Sequence, residues 1–196
     1  KKFLREKLLS NVSKDCNAYL VYVNAIGGQD ELVFDGSSLV YDNKGEKILG
    51  MPSFKEKTEE IQIEIETKKT IKKIINKFVV IEKNIDVNSH KKISRSSKIS
   101  SSSKIQDVLD ALILGTKDYA NKNGFKKCLV SLSGGIDSAL VTTIACKAMG
   151  SKNVTAVTLP SKYSSSHSVS DSEDLCKNLG IHLISIPILN AHKSML

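Results

Sequence analysis

From Lys127 onward, apolar strand-like runs alternate with helical patterns across short joints. Lys127 to Leu132 reads as a buried strand. Ser138 to Met149 reads as a helix, with Leu140/Ile144 and Val141/Ala145/Ala148 on its inner side. Val154 to Leu159 forms a second strand, and Ser170-x-x-Glu173 is a capping box that opens another helix. Gly180 closes that helix, and Ile181 to Ile188 follows as a further strand, interrupted late by Pro187. Two strands joined through a helix run parallel, so this succession predicts an α/β fold built on a doubly wound parallel sheet. A helix precedes it: Ile105, Val108, Leu109, Leu112, Ile113 and Tyr119 fall at helical spacing, and Asn123-Gly124 ends the run.

The upstream half reads differently. Phe3, Leu4, Leu8, Leu9 and Val12 give a helical pattern, followed by an apolar strand from Ala18 to Val23. A turn-rich Gly27-Gly28-Gln29-Asp30 leads into Leu32-Val33-Phe34 and Ser38-Leu39-Val40-Tyr41. Asp42-Asn43-Lys44-Gly45 then turns into Lys47-Ile48-Leu49 as a hairpin. Ile61 to Glu66 alternates with period two, as a half-buried strand does. Eight of the sixteen residues 89–104 are serine, too little apolar surface to offset ordering entropy, so this stretch reads as a linker. At 196 residues the chain exceeds one small domain and falls short of two full ones. It opens at Lys1 without a methionine and stops at Leu196 after an apolar run, which reads as a piece of a longer protein.

A net charge of +8 raises the question of nucleic acid. Its distribution answers against that class. Residues 1–54 are net zero, residues 55–104 are net +6 and residues 105–196 are net +2. The excess therefore belongs to a lysine-rich connector and not to a displayed basic face. No apolar stretch approaches the roughly 18 residues of a membrane span, and no signal peptide opens the chain, so a cytoplasmic protein is expected. Cys16, Cys128, Cys146 and Cys176 show neither a CxxC pair nor metal spacing with histidine, and read as reduced thiols.

Ser131-Leu132-Ser133-Gly134-Gly135-Ile136-Asp137-Ser138 carries the chemistry. It lies where a buried strand hands over to a helix N-terminus. The two glycines allow a sharp turn with unobstructed amides, and those amides with the helix dipole make an anion site. Ser133 and Ser138 add hydroxyl donors, and Asp137 is placed to hold magnesium beside a phosphate. The Gly-Lys-Ser/Thr ending of a P-loop and the Gly-x-Gly-x-x-Gly of dinucleotide folds are both missing.

Ser-Gly-Gly-Ile-Asp-Ser after a strand resembles the pyrophosphate loop of N-type ATP pyrophosphatases. The stretch from Leu159-Pro160-Ser161-Lys162-Tyr163 through His167 to Leu175 looks like glutamine-dependent NAD synthetases, as does Leu114 to Phe125. Tyr22-Val23-Asn24 with Gly27 to Ser37 resembles the closing part of their nitrilase-like glutaminase domain. The resemblance implies a fragment truncated at both ends. Residues 1–66 would be the C-terminal portion of an αββα glutaminase sandwich and 67–104 a basic, serine-rich linker. Residues 105–196 would start a Rossmann-like ATP pyrophosphatase domain.

The resemblance also implies a ligase: amidation of deamido-NAD to NAD through an adenylate, with ATP and Mg2+ and with ammonia drawn from glutamine. ATP would bind over Ser131–Ser138 with magnesium at Asp137. The glutaminase Glu, Lys and Cys would lie upstream of Lys1, leaving Cys16 without a catalytic role. Lys1 would stand at a glutamine-binding position, and Lys162 and His167 at ligand contacts. Ser131 replaces a family glycine, and Lys162 an arginine, keeping charge without the fork. His182, alternating with apolar neighbours, reads as structural. At full length a homo-oligomer is expected, with no nucleic-acid or membrane partner. A GMP synthetase-like amidotransferase, a non-catalytic nucleotide-binding protein and an RNA binder using residues 68–104 remain as alternatives.

Overall fold

The computed structural model describes residues 2–61, 63, 103–161 and 165–189. Most of the alternating run Ile61 to Glu66 and nearly all of the serine-rich stretch lie outside them. Contacts divide the chain into two compact units. The first comprises residues 1–21, 39–50 and 57–99, and the second residues 22–38, 51–56 and 100–196.

In the first unit, helix α1 (Lys2–Cys16) accompanies a three-stranded sheet of order β1-β4-β5, formed by Leu20–Tyr22, Leu39–Tyr41 and Lys47–Gly50. β4 and β5 pair antiparallel with Val40 opposite Leu49, so the hairpin expected across Asp42–Gly45 is present. Two of the three leucines of α1 face away from the sheet, Leu4 and Leu8 being 70% and 61% exposed, while Leu9 is half-buried. Serines hold the helix. Ser10 Oγ donates to the Gly45 carbonyl at 2.7 Å, and Ser13 Oγ, fully buried, bonds the carbonyls of Ala18 and Asp42. Gly45 adopts φ +75°, and a β-carbon there would lie 2.6 Å from the Ser10 carbonyl oxygen. Only a glycine lets the turn approach the helix so closely. An ion pair between Lys47 and Glu6, 3.0 Å, flanks this contact.

The second unit contains a parallel sheet of order β6-β7-β8: Cys128–Ser131, Val154–Thr158 and His182–Ser185. Val130 pairs with Ala156, and Ala156 with Leu183. Helix α3 (Ile136–Met149) and a short 3-10 turn (Ser151–Asn153) join the first two strands. Helix α4 (Ser166–Leu179) joins the last two. Val130, Ala145, Cys146 and Val154 form one buried cluster, and Leu132, Ala156 and Cys176 form another, with Ile181 packed against both. Val130 and Leu132 alternate along β6, as Val154 and Ala156 do along β7, so the clusters lie on one sheet face. The opposite face carries Leu129, 68% exposed. A second helix layer, as a doubly wound sheet has, is not among the described residues. Leu132 is 1% exposed, and Leu132→Ala should cost about 2–5 kcal/mol, read as a lower midpoint in thermal or urea denaturation.

Three local expectations are corrected. The inner side of α3 is Thr142, Ala145, Cys146 and Ala148, all buried, whereas Leu140 and Val141 are 52% and 55% exposed. Thr142 tolerates complete burial because its hydroxyl donates to the Ser138 carbonyl at 2.7 Å. Helix α4 starts at Ser166 and not at Ser170. Ser165 is its N-cap, accepting from the Ser168 amide at 3.1 Å, and Ser170 donates back to the His167 carbonyl.

The third correction concerns Gly27-Gly28-Gln29, which form a strand and not a turn. β2 (Ile26–Gln29) pairs antiparallel with β3 (Leu32–Asp35), and the chain reverses at Asp30-Glu31. Helix α2 (Lys104–Lys122) packs on this hairpin and on α3. Among the described residues, no helix is long and apolar enough to cross a membrane.

Candidate functional site

Two helix N-termini frame the loop after β6. The Leu132 amide extends the sheet by donating to the Val157 carbonyl at 2.8 Å, and its side chain is fixed in the core. Ser131 ends β6 exposed, and beyond Leu132 the chain leaves the sheet, with Ser133, Gly135, Ile136 and Asp137 exposed. Helix α3 begins at Ile136, two residues earlier than the apolar pattern indicates, with Gly135 as N-cap. Gly135 offers no side-chain cap, and Ala139 is the residue whose amide bonds the Gly135 carbonyl, at 3.1 Å. The amides of Ile136, Asp137 and Ser138 thus open the helix with no preceding turn to bond. Such amides, at the positive end of the dipole, favour an anion.

Ser138 organises the loop. Its hydroxyl donates to the Gly135 carbonyl at 2.9 Å, accepts from the Ser133 amide at 3.2 Å and lies 3.1 Å from the Ser133 hydroxyl. Ser138→Ala removes all three contacts at a half-buried position. It should lower stability by about 1 kcal/mol, measured by urea denaturation, and weaken phosphate binding in a titration of the same protein.

Gly134 fixes the loop's second wall. It adopts φ +83°, and a β-carbon there would lie 2.4 Å from the Ser168 carbonyl oxygen and 2.6 Å from its Cα. The first turn of α4 therefore abuts the loop, held by the Ser165–Ser168 cap and by Ser172 Oγ donating to the Ser168 carbonyl at 2.8 Å. The expectation from sequence omitted Ser165 and Ser168 from the site. Their Ser-x-x-Ser spacing is a cap signal that could have placed α4's first turn there. His167 occupies this same turn and is exposed. Lys1 and Lys162, the other candidate contacts, lie outside the described residues.

A cleft of about 430 Å³ opens beside the loop, lined by Gly134, Gly135 and Ile136 together with Asp171, Asp174 and Asn178 of α4. Its two carboxylates oppose a polyanion, so the exposed loop amides are the better place for phosphate. Asp137 presents a solvent-facing carboxylate at the start of α3, a donor suited to a hard cation that completes its shell with phosphate oxygens and water. Among the described residues no group of three or more His, Cys, Asp or Glu could hold a metal ion. A cation here would therefore depend on the bound phosphates.

Cys16 is exposed at the end of α1, and burial pushes the thiols of Cys146 and Cys176 up, away from the reactive thiolate form. His182 lies on β8, exposed and away from the loop's described contacts.

Comparison with known proteins gives a consistent set of relatives. Residues 108–196 match the NAD synthase family. Over nearly its whole length the chain is similar to glutamine-dependent NAD synthetases. It is 36% identical over 188 residues to that of a Synechocystis strain, covering 96% of this chain and 30% of the relative. To the Thermotoga maritima protein it is 35% identical over 205 residues, covering 100% and 36%. Among solved structures, the glutamine-dependent NAD+ synthetase of Acinetobacter baumannii in complex with adenosine diphosphate aligns with a TM-score of 0.71. The identity there is 30%, over 97% of this chain and 32% of the other. The chain spans about a third of the length of the curated relatives it matches. The similarity includes the upstream part, so the resemblance to NAD synthetases is not confined to the phosphate-type loop.

Proposed function

We propose that this chain contributes the ATP pyrophosphate site of a glutamine-dependent NAD synthetase. The supporting observation is the loop itself: free helix-opening amides, a glycine seat at Gly134 that no β-carbon fits, and hydroxyls of Ser133 and Ser138 on one turn. The loop binds and orients the β- and γ-phosphates of ATP through Ser131, Leu132, Ser133, Gly134, Gly135, Ile136, Asp137 and Ser138. Leu132 acts there through its backbone, since its side chain is core. Asp137 would hold Mg2+ there, and the ion would supply positive charge beside the leaving pyrophosphate.

In the proposed reaction a carboxylate oxygen of deamido-NAD forms a bond to the α-phosphorus of ATP while the bond to pyrophosphate breaks. Ammonia then attacks the carboxyl carbon of the adenylate, AMP leaves, and the nitrogen gives up a proton to yield NAD. The loop lowers the first barrier by meeting the charge that accumulates on the departing pyrophosphate with dipoles already in place. Ser138 holds that arrangement through Ser133 and Gly135. The glutaminase triad is assigned to sequence upstream of Lys1, with Lys1 proposed at the glutamine site and Lys162 and His167 at ligand contacts. The domain division at residues 66 and 104, a cytoplasmic location and a homo-oligomer at full length belong to the same proposal.

The test uses the full-length gene product carrying this chain, with ATP, magnesium and deamido-NAD, and either glutamine or ammonium as nitrogen source. AMP, pyrophosphate and NAD are expected one-for-one with both. Turnover with ammonium alone would remove the glutaminase assignment, and no NAD with either would remove the acceptor.

A further inference from the structure

The hairpin of β2 and β3 is gripped by one face of α2. In the antiparallel pairing Gly28 stands opposite Val33. Gln29 and Leu32 close the two-residue turn as a hydrogen-bonded pair, so Gly28 belongs to the alternate class, whose amide and carbonyl both point away from the partner strand. Helix α2 meets both groups. Asp118 Oδ2 accepts the Gly28 amide at 2.7 Å, and Lys122 Nζ donates to the Gly28 carbonyl. Gly115, one turn earlier, brings the helix backbone within reach: a β-carbon on Gly28 would lie 3.1 Å from Gly115 Cα, and one on Gly115 would lie 3.0 Å from Val33 Cγ2. Gly115, Asp118 and Lys122 are spaced three and four residues apart, so they share one helix face. The side chains of α2 thus serve the exposed edge of β2 as a neighbouring strand would, through two charge-assisted bonds.

The path of the chain gives this contact a consequence. Residues 1–21 and 39–50 group with the first unit, while the intervening 22–38 group with the parallel-sheet unit. The hairpin is thus a loop of the upstream region that is anchored on the helix leading into the phosphate-type loop's domain. We propose that Gly115, Asp118 and Lys122 are positioning residues that keep ammonia release and ammonia use in step. This rests on the function proposed above. Asp118 and Lys122 touch no substrate in this scheme; they act by holding Gly28, so releasing the hairpin changes the transfer of ammonia and leaves adenylation intact.

The test compares the full-length gene product with its Asp118→Ala, Asp118→Asn and Lys122→Gln variants. NAD formation is measured with ammonium and with glutamine, and glutamate released is counted per NAD formed. Losing a hydrogen bond to a charged group corresponds to about a ten-fold effect. Asp118→Ala should therefore leave the ammonium-driven rate within about two-fold, lower the glutamine-driven rate about ten-fold and raise glutamate released per NAD. Asp118→Asn keeps an acceptor oxygen and should recover most of the coupling, while Lys122→Gln should fall between. An unchanged glutamate-to-NAD ratio in Asp118→Ala and Lys122→Gln would overturn the proposal, as would an equal loss of both rates, which marks a purely structural contact. A parent protein that makes no NAD from either donor would instead overturn the function on which the proposal rests.

Discussion

Gly134→Ala is expected to lose the loop. At φ +83° an alanine already carries a left-handed backbone cost of roughly 1–2 kcal/mol. The added β-carbon would also overlap the Ser168 backbone at 2.4 Å. The obstacle is main chain, held by the Ser165 cap and the buried Ser172 hydroxyl, so it cannot swing aside as a flexible side chain would. Overpacking of this kind costs about 1–3 kcal/mol more. In a unit of about 100 residues, a total of roughly 2–5 kcal/mol lowers the melting midpoint by about 8 °C or more. Thermal denaturation with and without ATP and magnesium measures both effects: a lower midpoint without ligand, and none of the ligand-induced rise the parent shows. Gly135→Ala is the control. Gly135 has φ −84°, and a β-carbon there meets only Ser133 Oγ at 3.5 Å, so the fold should be nearly unchanged.

Asp137→Asn separates chemistry from stability. The carboxylate is exposed at the first turn of α3. Its loss removes a favourable charge at the helix N-terminus, about 0.3–1 kcal/mol, a small shift in urea unfolding. If Asp137 holds magnesium against the phosphates, the same change removes charge stabilisation at the bond that breaks. Loss of one such interaction costs about 10²–10³ in rate. The expected outcome is a fall of that size in ATP-dependent pyrophosphate release with a denaturation midpoint lowered by no more than that small charge effect. A variant with parental turnover would exclude Asp137 from the site.

The parallel strands and their joining helices were legible because apolar runs alternate with helical patterns and glycine stops are local, although β6, which reads as buried, and β8 are exposed on much of their length. In the loop, two glycines, three serines and an aspartate at a strand-to-helix joint marked a candidate phosphate site. What escaped the sequence depends on packing. Leu140 and Val141 outrank Thr142 on hydrophobicity, yet Thr142 is the buried one because its hydroxyl is satisfied within the helix by the Ser138 carbonyl. Gly27 and Gly28 read as turn residues because nothing local announces a helix passing 3.1 Å from where a β-carbon would stand. Ser168 was overlooked because its part in the loop comes through its backbone, which no side-chain motif records. The capping box at Ser170 was a competing signal, and the Ser165 cap, with Ser168 in its N3 position, starts the helix earlier.

The chemistry proposed for the loop is adenylation, with pyrophosphate as the leaving group. Exchange of labelled pyrophosphate into ATP by the full-length gene product tests this most directly, because it reports the first step without the second. The expected result is exchange that requires magnesium and deamido-NAD, needs no nitrogen donor and is lost in Asp137→Asn. Release of ADP and phosphate in place of AMP and pyrophosphate, or exchange indifferent to Asp137, would contradict it.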